Sequence, residues 1–367
     1  MNDVEELKLH VGVHAMGQRI ADYEDILNRI ATDDGAGKGT WVGEWCRAGQ
    51  YLMREGRHLD AAKLFAMARF PFVDGPGRQQ AQDRCIEAVD RWRSSGRGVE
   101  PLELNLPHGR IRCWASGLST RERKPLLILM GGIVTVKEQW APTLVKLGRL
   151  GMAGIVTELP GVGENEQRYT AGSHRMVTDL LDALADRADV SQTYAIAMSF
   201  SGHLALRCAV NDQRLRGVIT TGAPIREFFT DTTWQRGVPR ITIDTLAHLI
   251  GVESGSVEGS LTDWALTDDH LAALGIPVAY MASLRDEIIP PGEVALLRNH
   301  LSDLDIREYD DVHGAPRHTA ETQLWSISAL LRARGVHNPQ SALLGLMLGA
   351  MKLRRQVGAR NRPLPVA

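Results

Sequence analysis

The feature of this sequence that most constrains its fold is a series of short, continuous apolar runs separated by segments with helical spacing. Strands that are apolar along their whole length and alternate with helices are typical of a parallel sheet covered on both faces. The sequence therefore predicts an α/β fold with a mostly parallel, doubly wound sheet, in which ligands bind beyond the carboxyl ends of the strands. The strands, including an initial hairpin, are predicted at residues 102–106, 110–115, 126–130, 153–157, 194–198, 217–220, 277–281 and 306–309, and the helices at residues 139–150, 174–187 and 202–210.

The first hundred residues follow a different pattern. Between residues 22 and 92, apolar side chains recur at spacings of three and four, for example Trp41 with Trp45, and the alternation typical of strands is absent. Residues 94–98, Ser-Ser-Gly-Arg-Gly, close this region as a linker. The predicted organisation is a helical N-terminal cap domain at residues 1–98, an α/β domain at residues 99–336 with a helical insertion at about residues 226–275, and a C-terminal helix and tail at residues 337–367.

Composition limits the classes of partner. The 367-residue chain has a formal net charge of -2, which predicts no basic surface for nucleic acid or for an anionic membrane. Its four cysteines lack C-x-x-C spacing, and Gly161 with Gly163 has no third glycine that opens a helix, as a dinucleotide site requires. The N-terminus lacks the charged and apolar segments of a signal peptide. We therefore expect a cytoplasmic protein that binds a small molecule, with no metal or other cofactor and no nucleic acid or membrane partner.

Residues 197–202, Ala-Met-Ser-Phe-Ser-Gly, join a predicted strand to a predicted helix. A serine on such a sharp turn is exposed above the sheet, where it acts as a nucleophile. The usual pattern is G-x-S-x-G, and Ala197 and Ser201 stand where the two glycines are expected. Because a serine that caps a helix after an ordinary turn gives the same pattern, assigning Ser199 as the nucleophile depends on partners elsewhere in the chain.

A nucleophilic serine needs a histidine base and an acid that orients the base. Asp286 comes just after a predicted strand, and Glu287 is the adjacent alternative. His313 follows the last predicted strand and completes a known chain order of serine, acid and histidine. His318 lies nearer the start of the next helix, where a capping or surface role is expected. The sequence favours Asp286 as the acid and His313 as the base.

Two backbone segments are candidates for an oxyanion hole. Gly131 and Gly132 follow a predicted strand, and the amide of Gly132 or Ile133 can face the oxygen that becomes negatively charged on a substrate. The second amide is that of Phe200, directly after Ser199. Losing one such donor typically raises the barrier by about 3 kcal/mol. An ordinary glycine turn is the alternative interpretation.

Taken together, these motifs resemble an α/β-hydrolase. The helical N-terminal region narrows the resemblance to the FrsA-like esterases and the related fungal yellowish-green pigment hydrolases, over about residues 20–335. The chain departs from the family pattern at Ala197 and Ser201, and at Gly314, where relatives often have a cysteine. Outside the motifs already described, the residues that carry the resemblance are Trp41, Trp45, Gly56, Ala61-Ala62, Leu64-Phe65, Ala68-Arg69-Phe70-Pro71 and Lys137-Glu138.

The resemblance implies a serine hydrolase of secondary metabolism. Members of this group cleave esters, and some cleave carbon-carbon bonds beside ketones in polyketide or aromatic metabolites. It therefore implies an acyl-enzyme on an ester, thioester or ketone-adjacent carbon-carbon bond of a mid-sized apolar or aromatic, polyketide-like metabolite.

Two features after the strand at 217–220 bear on the substrate. Carbon-carbon cleavage benefits from an additional proton donor, for which Glu227 and Asp231 are candidates beside an ordinary surface role. We expect Glu227 and Trp234 to bind substrate, with packing of the insertion as the alternative for Trp234. The alternative functions are an acyltransferase or cyclase that uses the same three side chains and a non-catalytic binding protein.

Residues 342–351, Ala-Leu-Leu-Gly-Leu-Met-Leu-Gly-Ala-Met, form an apolar run that is too short to span a bilayer. We predict a helix that either packs on the protein or forms an interface, and a homodimer is the partner arrangement that such an interface allows. Lys352, Arg354 and Arg355 are favourably placed near the C-terminal end of this helix.

Overall fold

The computed structural model describes residues 2–336, 339, 342–349 and 351. Two side chains fix helix starts in its N-terminal part: Asp3 Oδ1 accepts the amide of Glu5 at 2.9 Å, and Thr40 Oγ1 accepts the amide of Gly43 at 3.1 Å. Pro76 occupies the first turn of the helix over residues 76–93, where an amide hydrogen would have no partner within the helix and its absence loses no hydrogen bond. The first five helices are α1 (Val4–Gly17), α2 (Tyr23–Asn28), α3 (Trp41–Arg54), α4 (His58–Arg69) and α5 (Pro76–Arg93).

A single eight-stranded sheet follows the helical region. Its order is β1-β2-β4-β3-β5-β6-β7-β8, and β2 runs antiparallel to both of its neighbours while every other pair is parallel. This confirms the predicted α/β fold with a mostly parallel sheet. The strands are β1 (Glu100–Leu106), β2 (Gly109–Ser116), β3 (Pro125–Met130), β4 (Ala153–Thr157), β5 (Asp189–Met198), β6 (Leu215–Thr221), β7 (Val278–Ser283) and β8 (Leu304–Tyr309).

Helices connect the parallel strands and flank the sheet. Two of them precede and follow β5, four lie between β6 and β7, where the sequence shows no strand pattern, and two flank β8. These helices are α6 (Arg175–Leu184), α7 (Phe200–Ala209), α8 (Glu227–Thr230), α9 (Thr232–Gly237), α10 (Arg240–Ile250), α11 (Asp268–Ala272), α12 (Gly292–His300) and α13 (Thr319–Ala333).

The segment expected as a helix over residues 139–150 differs from the prediction. It consists of two stretches of 3-10 helix, Lys137–Gln139 and Ala141–Leu150. In a 3-10 helix, side chains three residues apart are eclipsed, and Leu144 and Leu147 both lie over Gly154 of β4. A Cβ on Gly154 would lie 2.1 Å from the Leu147 side chain, so packing on this bare part of the sheet favours the tighter helix.

The C-terminal prediction is only partly within the described residues. Residues 342–349 are helical, with Leu343 and Leu346 exposed and Leu348 packed against the core. Lys352, Arg354, Arg355 and the tail lie outside the described residues, and the homodimer stays a prediction. Among the residues described, no helix is both long enough and apolar enough to cross a bilayer.

Candidate active site

Ser199 lies at a sharp turn between β5 and α7. Its φ of 53° and ψ of -127° are rarely adopted by residues with a side chain, so neighbouring contacts must hold the turn. The Ser199 amide donates to the carbonyl of Thr221 on β6, 2.8 Å away. A Cβ on Gly202 would lie 2.0 Å from Thr220 Oγ1, so the close approach of β6 requires glycine here. These contacts fix Ser199 at the carboxyl end of β5.

The two departures from the glycine pattern have different structural settings. Ala197 is fully buried in β5, in register with Met130 of β3 and Thr220 of β6. Ser201 is also buried, and its Oγ donates to the carbonyl of Gly131 at 2.5 Å. The Ser201 hydroxyl therefore joins α7 to the glycine loop after β3, a contact that glycine does not make.

The structure brings Ser199, Asp286 and His313 together. His313 Nε2 lies 3.2 Å from Ser199 Oγ, and His313 Nδ1 lies 2.9 and 3.0 Å from the two carboxylate oxygens of Asp286. A Cβ on Gly222, at the end of β6, would lie 2.7 Å from His313 Cε1, so this glycine leaves room for the imidazole ring. With the proton on Nδ1 held by the carboxylate, Nε2 is free to accept the serine proton.

The alternative acid and base occupy other positions. Glu287 Oε2 accepts the backbone amide of His313 at 3.0 Å, so Glu287 holds the backbone of that residue while Asp286 holds its ring. His318 precedes α13, and its ring stacks on that of Tyr309 with centroids 4.6 Å apart. Glu287 and His318 therefore lie outside the hydrogen-bonded row of Ser199, His313 and Asp286.

The electrostatic surroundings of His313 favour its charged form. Burial lowers the pKa of His313, but Asp286 and Glu287 raise it by more, so that the net pKa is above the ordinary 6.5. Only the neutral imidazole accepts a proton from a hydroxyl group, so His313 is available as a base above this raised pKa.

The loop that carries Asp286 is held by its own carboxylate and by α9. Asp286 Oδ1 accepts the amides of Ile288 at 3.0 Å and Ile289 at 2.8 Å. The indole Nε1 of Trp234 donates to the carbonyl of Ile288 at 2.8 Å. Trp234 thus contacts the acid loop directly, and its predicted contact with substrate stays a prediction.

The two carboxylates considered as extra proton donors lie at helix starts. The Glu227 carboxylate lies against the start of α12, where a Cβ on Gly292 would be 2.1 Å from either Glu227 oxygen. Asp231 is exposed and caps α9 by accepting the amide of Trp234 at 2.9 Å. The cap contact gives Asp231 a structural role, while the role of Glu227 in substrate binding or proton transfer stays a prediction.

The glycine loop approaches Ser199 closely. A Cβ on Gly132 would lie 3.3 Å from Ser199 Cβ and 3.9 Å from Ser199 Oγ. Phe200 directly follows Ser199 and is the first residue of α7. Amides in the first turn of a helix have no acceptor within that helix. The amides of Gly132, Ile133 and Phe200 remain the predicted oxyanion donors, from segments that both border Ser199.

A buried group of charges braces the neighbouring loop between β4 and α6. Lys137 Nζ lies 2.7 Å from Glu164, 2.9 Å from Glu138 and 3.7 Å from Glu158. Burial lowers the pKa of Lys137, but the three glutamates raise it by more, so the ammonium group stays charged. Burial has the opposite effect on Glu158 and raises its pKa. The Glu158 carboxylate also accepts the amides of Lys137 and Glu164 at 3.0 and 2.9 Å.

Arg69 was named from the sequence only among the residues that carry the family resemblance, and no role at this site was predicted for it. Arg69, the last residue of α4, is 2% exposed, and its Nη1 donates to the carbonyls of Val134 at 2.9 Å and Pro71 at 3.0 Å. Val134 follows Ile133 in the glycine loop. In sequence, an arginine in the last turn of a helix is explained by the helix dipole, so nothing there indicates a buried contact 65 residues away.

Helix α1, which the pattern from residue 22 onward did not include, lies beside the His313 segment. Gly17, at its end, faces Pro316, three residues after His313. A Cβ on Gly17 would lie 3.9 Å from Pro316 Cβ. Near its start, Glu6 Oε1 accepts the amide of Ile241 in α10 at 3.0 Å. The helix therefore connects the insertion to the segment that carries the predicted base.

Two histidines one turn apart on α1 also belong to this neighbourhood. The His14 ring lies 5.3 Å from that of Phe70, between centroids. Burial lowers the pKa of His14 to about 4, with His313 and His10 adding to the effect. Burial lowers the pKa of His10 too, against the opposing effect of Glu287. Histidines with i,i+4 spacing occur on many helices, so their spacing alone does not indicate a role for either residue.

The chain is similar to known esterases in sequence and to solved hydrolases in structure. The family model described as Esterase FrsA-like matches residues 22–278. Esterase FrsA of Vibrio cholerae serotype O1 is 23% identical over 279 residues, which cover 67% of each chain. Esterase FrsA of Pectobacterium atrosepticum is 24% identical over 323 residues, which cover 76% of each chain.

Two solved structures extend the comparison. Wild-type AbyA5 superposes with a TM-score of 0.92 at 50% identity, covering 95% of this chain and 100% of that chain. The 2,6-dihydroxy-pseudo-oxynicotine hydrolase superposes with a TM-score of 0.67 at 19% identity, covering 87% of this chain and 96% of that chain, and it shows the shared fold alone. The family match spans well over half of the sequence and includes the Ser199 turn. The chain therefore belongs to the FrsA-like esterase family and is a hydrolase with the α/β-hydrolase fold.

Proposed function

We propose that this hydrolase cleaves a carboxylic ester through an acyl-enzyme on Ser199. The observation that carries the proposal is the hydrogen-bonded row in which His313 lies 3.2 Å from Ser199 Oγ and 2.9 Å from Asp286. His313 takes the serine proton as Oγ attacks the ester carbonyl, and it returns a proton to the alcohol that leaves. Water, activated by His313, then releases the acid and regenerates Ser199.

The charge that develops on the carbonyl oxygen needs donors in place before the reaction. We assign this role to the amides of Gly132, Ile133 and Phe200, because the glycine loop and the first turn of α7 both border Ser199. Donors that are already oriented stabilise the transition state without reorganisation, and each is worth about 3 kcal/mol.

An apolar or aromatic substrate, polyketide-like in character, fits the surroundings of this loop. Arg69 joins the carbonyl of Pro71 to the glycine loop, and Phe70 and Phe72 flank Pro71 in the sequence. The half-buried Phe72 ring stacks on that of His248 with centroids 4.3 Å apart. Aromatic residues next in sequence to this anchored carbonyl favour an apolar acyl or alcohol group over a charged one.

Among the predicted chemistries, the geometry supports ester cleavage best. Carbon-carbon cleavage calls for a second proton donor near Ser199, whereas Asp231 is exposed at the cap of α9 and the Glu227 carboxylate lies against the start of α12. Acyl transfer uses the same three side chains and is separated by its products. With a p-nitrophenyl ester in water, release of one free acid per phenol is the expected result, and exclusive formation of a new ester with added alcohol would contradict hydrolysis.

A fluorophosphonate probe tests the nucleophile directly. We expect stoichiometric addition to the wild type, detected by intact mass, and no addition to Ser199→Ala. Ser191→Ala is the matched control, because Ser191 is exposed at the opposite end of the same strand, where its hydroxyl donates to Asp189. An unmodified wild-type protein, or labelling that persists in Ser199→Ala, would contradict the proposal.

A further inference from the structure

We propose that Arg69 is a positioning residue of the active site, which holds the glycine loop so that its amides face the oxygen of the substrate. The inference rests on the proposed function and deepens it, because it assigns part of the oxyanion geometry to the helical N-terminal region. Arg69 acts through the backbone of Val134 and contacts no reacting atom.

The glycine loop is anchored at both ends by buried side chains. At its start, the carbonyl of Gly131 accepts the Ser201 hydroxyl at 2.5 Å, and at its end the carbonyl of Val134 accepts Arg69 Nη1 at 2.9 Å. Between these two anchored carbonyls lie the amides of Gly132 and Ile133. Because peptide units are planar, fixing the carbonyls on either side limits the directions in which the intervening amides can point.

The two anchors differ in origin. Ser201 belongs to α7, so its contact forms as part of the same turn that presents Ser199. Arg69 belongs to α4, and its bond to Val134 exists only when the helical region is docked on the sheet. The Gly132 amide shares its peptide unit with the Gly131 carbonyl that Ser201 holds, whereas the path of the chain through Ile133 to Val134 depends on that docking.

The chemistry of the Arg69 contact suits a positioning role. Burial lowers the pKa of Arg69 to about 10, with Glu158 and Glu138 opposing the effect, so the guanidinium group is charged at neutral pH. Hydrogen bonds from a charged donor are about twice as strong as those between neutral groups. The same Nη1 donates to the carbonyl of Pro71, which fixes the guanidinium group in the helical region while it holds the loop.

Arg78 provides a matched control from the same region. It is 4% exposed, against 2% for Arg69, and it donates to the carbonyl of Phe70 at 2.9 Å. Its ion pairs are with Asp33 and Asp74, both within the helical region. Replacing Arg78 therefore removes an equally buried arginine without removing a bond to the glycine loop.

The test compares Arg69→Met and Arg69→Lys with Arg78→Met and Arg78→Lys. The measurements are kcat and KM on a p-nitrophenyl ester, the Kd of an arylboronic acid whose adduct with serine places an oxygen in the oxyanion hole, and thermal unfolding. We expect Arg69→Met to lower kcat by about 30- to 100-fold and to weaken boronate binding in parallel, with KM changed less than about threefold. Arg69→Lys, which keeps the charge but loses the planar fork, is expected to lower kcat about tenfold and serves if the methionine variant does not fold.

The Arg78 variants separate positioning from loosening of the helical region. They are expected to lower the unfolding temperature but to change kcat less than about threefold at temperatures where they are folded. Two results would overturn the inference about Arg69 and leave the proposed function standing. One is an equal loss of kcat in the Arg69 and Arg78 variants, and the other is a folded Arg69→Lys with wild-type kcat and boronate Kd. A wild-type protein that neither reacts with fluorophosphonate nor cleaves esters would instead overturn the proposed function as well.

Discussion

The sheet and the helical N-terminal region contribute to the site in different ways. The sheet supplies Ser199, Asp286 and His313 from loops at the carboxyl ends of β5, β7 and β8, and the strand order alone brings these loops together. The helical region supplies Arg69 through a hydrogen bond to a loop carbonyl. The predicted reacting groups thus lie on loops of the sheet, and the proposed positioning contact comes from a separate set of helices.

This difference bears on the predicted oxyanion hole. Ser199 and His313 are carried by loops of the sheet itself, whereas the predicted oxyanion donors lie on a glycine loop that also contacts the helical region. Contacts from two directions restrict that loop more than either contact alone, because each fixes a different peptide unit. Preorganised donors are where an enzyme gains most in rate, so the proposed role of the second contact predicts a loss of rate when that contact is removed.

Asp286→Asn is expected to cause the largest loss, and it tests the part of the site that the sheet supplies. The amide of asparagine cannot stabilise the imidazolium form of His313, and it favours the wrong tautomer. We expect kcat to fall by about 10⁴-fold with little change in the unfolding temperature. Steady-state kinetics on an ester substrate provide the measurement. The control is Glu287→Gln, which changes the acceptor of the His313 backbone amide but leaves the acceptor of its ring in place.

A retained rate within about tenfold of wild type in Asp286→Asn would show that the acid is not needed where the sheet places it. An equal loss in Glu287→Gln would instead assign the electrostatic role to both carboxylates.

Ser201→Ala is expected to cause the next largest loss, and it compares the two anchors of the glycine loop. Removing the hydroxyl frees the Gly131 carbonyl, and we expect kcat to fall about 10- to 30-fold. Ser201→Gly, which restores the usual family residue, is expected to lose as much, because glycine has no hydroxyl.

Combining Ser201→Ala with Arg69→Lys shows whether the anchors act on one element. Residues that hold the same loop are expected to be non-additive, so the double variant should lose less than the product of the single losses. Full additivity in kcat would indicate that the two regions act independently.

The sequence was sufficient where the chemistry is encoded locally. The run before Ser199, the small neighbours and the chain order of acid and base predicted which residues meet, because strands of a parallel sheet end at one edge. The contact of Arg69 with the glycine loop could not be predicted, because its partner is a backbone carbonyl, which has no sequence signal. The segment at residues 139–150 was wrongly predicted as an α-helix for a related reason: its side chains pack over Gly154 of β4, a strand that comes later in the sequence.

Glu6→Gln is expected to have a smaller effect, on stability rather than on rate. The Glu6 carboxylate accepts the Ile241 amide in the first turn of α10, a helix whose own N-cap residue, Pro239, offers no side-chain cap. Loss of the negative charge at a helix N-terminus is expected to lower the free energy of unfolding by about 0.5–1 kcal/mol. Thermal unfolding measures the change, and Glu5→Gln, which removes an exposed carboxylate of the same helix, is the control. An equal change in both variants would show that the contact between α1 and α10 contributes nothing specific.

The smallest effect is expected for His14→Gln on the pH dependence of the rate, and it tests whether the helical region supplies a titrating group. Because Asp286 and Glu287 raise the pKa of His313 above 6.5 despite its burial, kcat/KM is expected to fall tenfold per pH unit as the pH drops below that raised value. His14, with a pKa of about 4, is neutral throughout this range and places no charge beside His313. Its replacement should therefore leave the acid limb within about 0.3 pH unit of the wild type. A shift of the acid limb to higher pH in His14→Gln would mean that neutral His14 stabilises the neutral form of His313 by hydrogen bonding. A shift to lower pH is not expected, because a charged His14 could only lower the pKa of His313. Either shift would move part of the acid-base chemistry from the sheet to α1, and the division between reacting groups and positioning groups would no longer follow the boundary between the two regions.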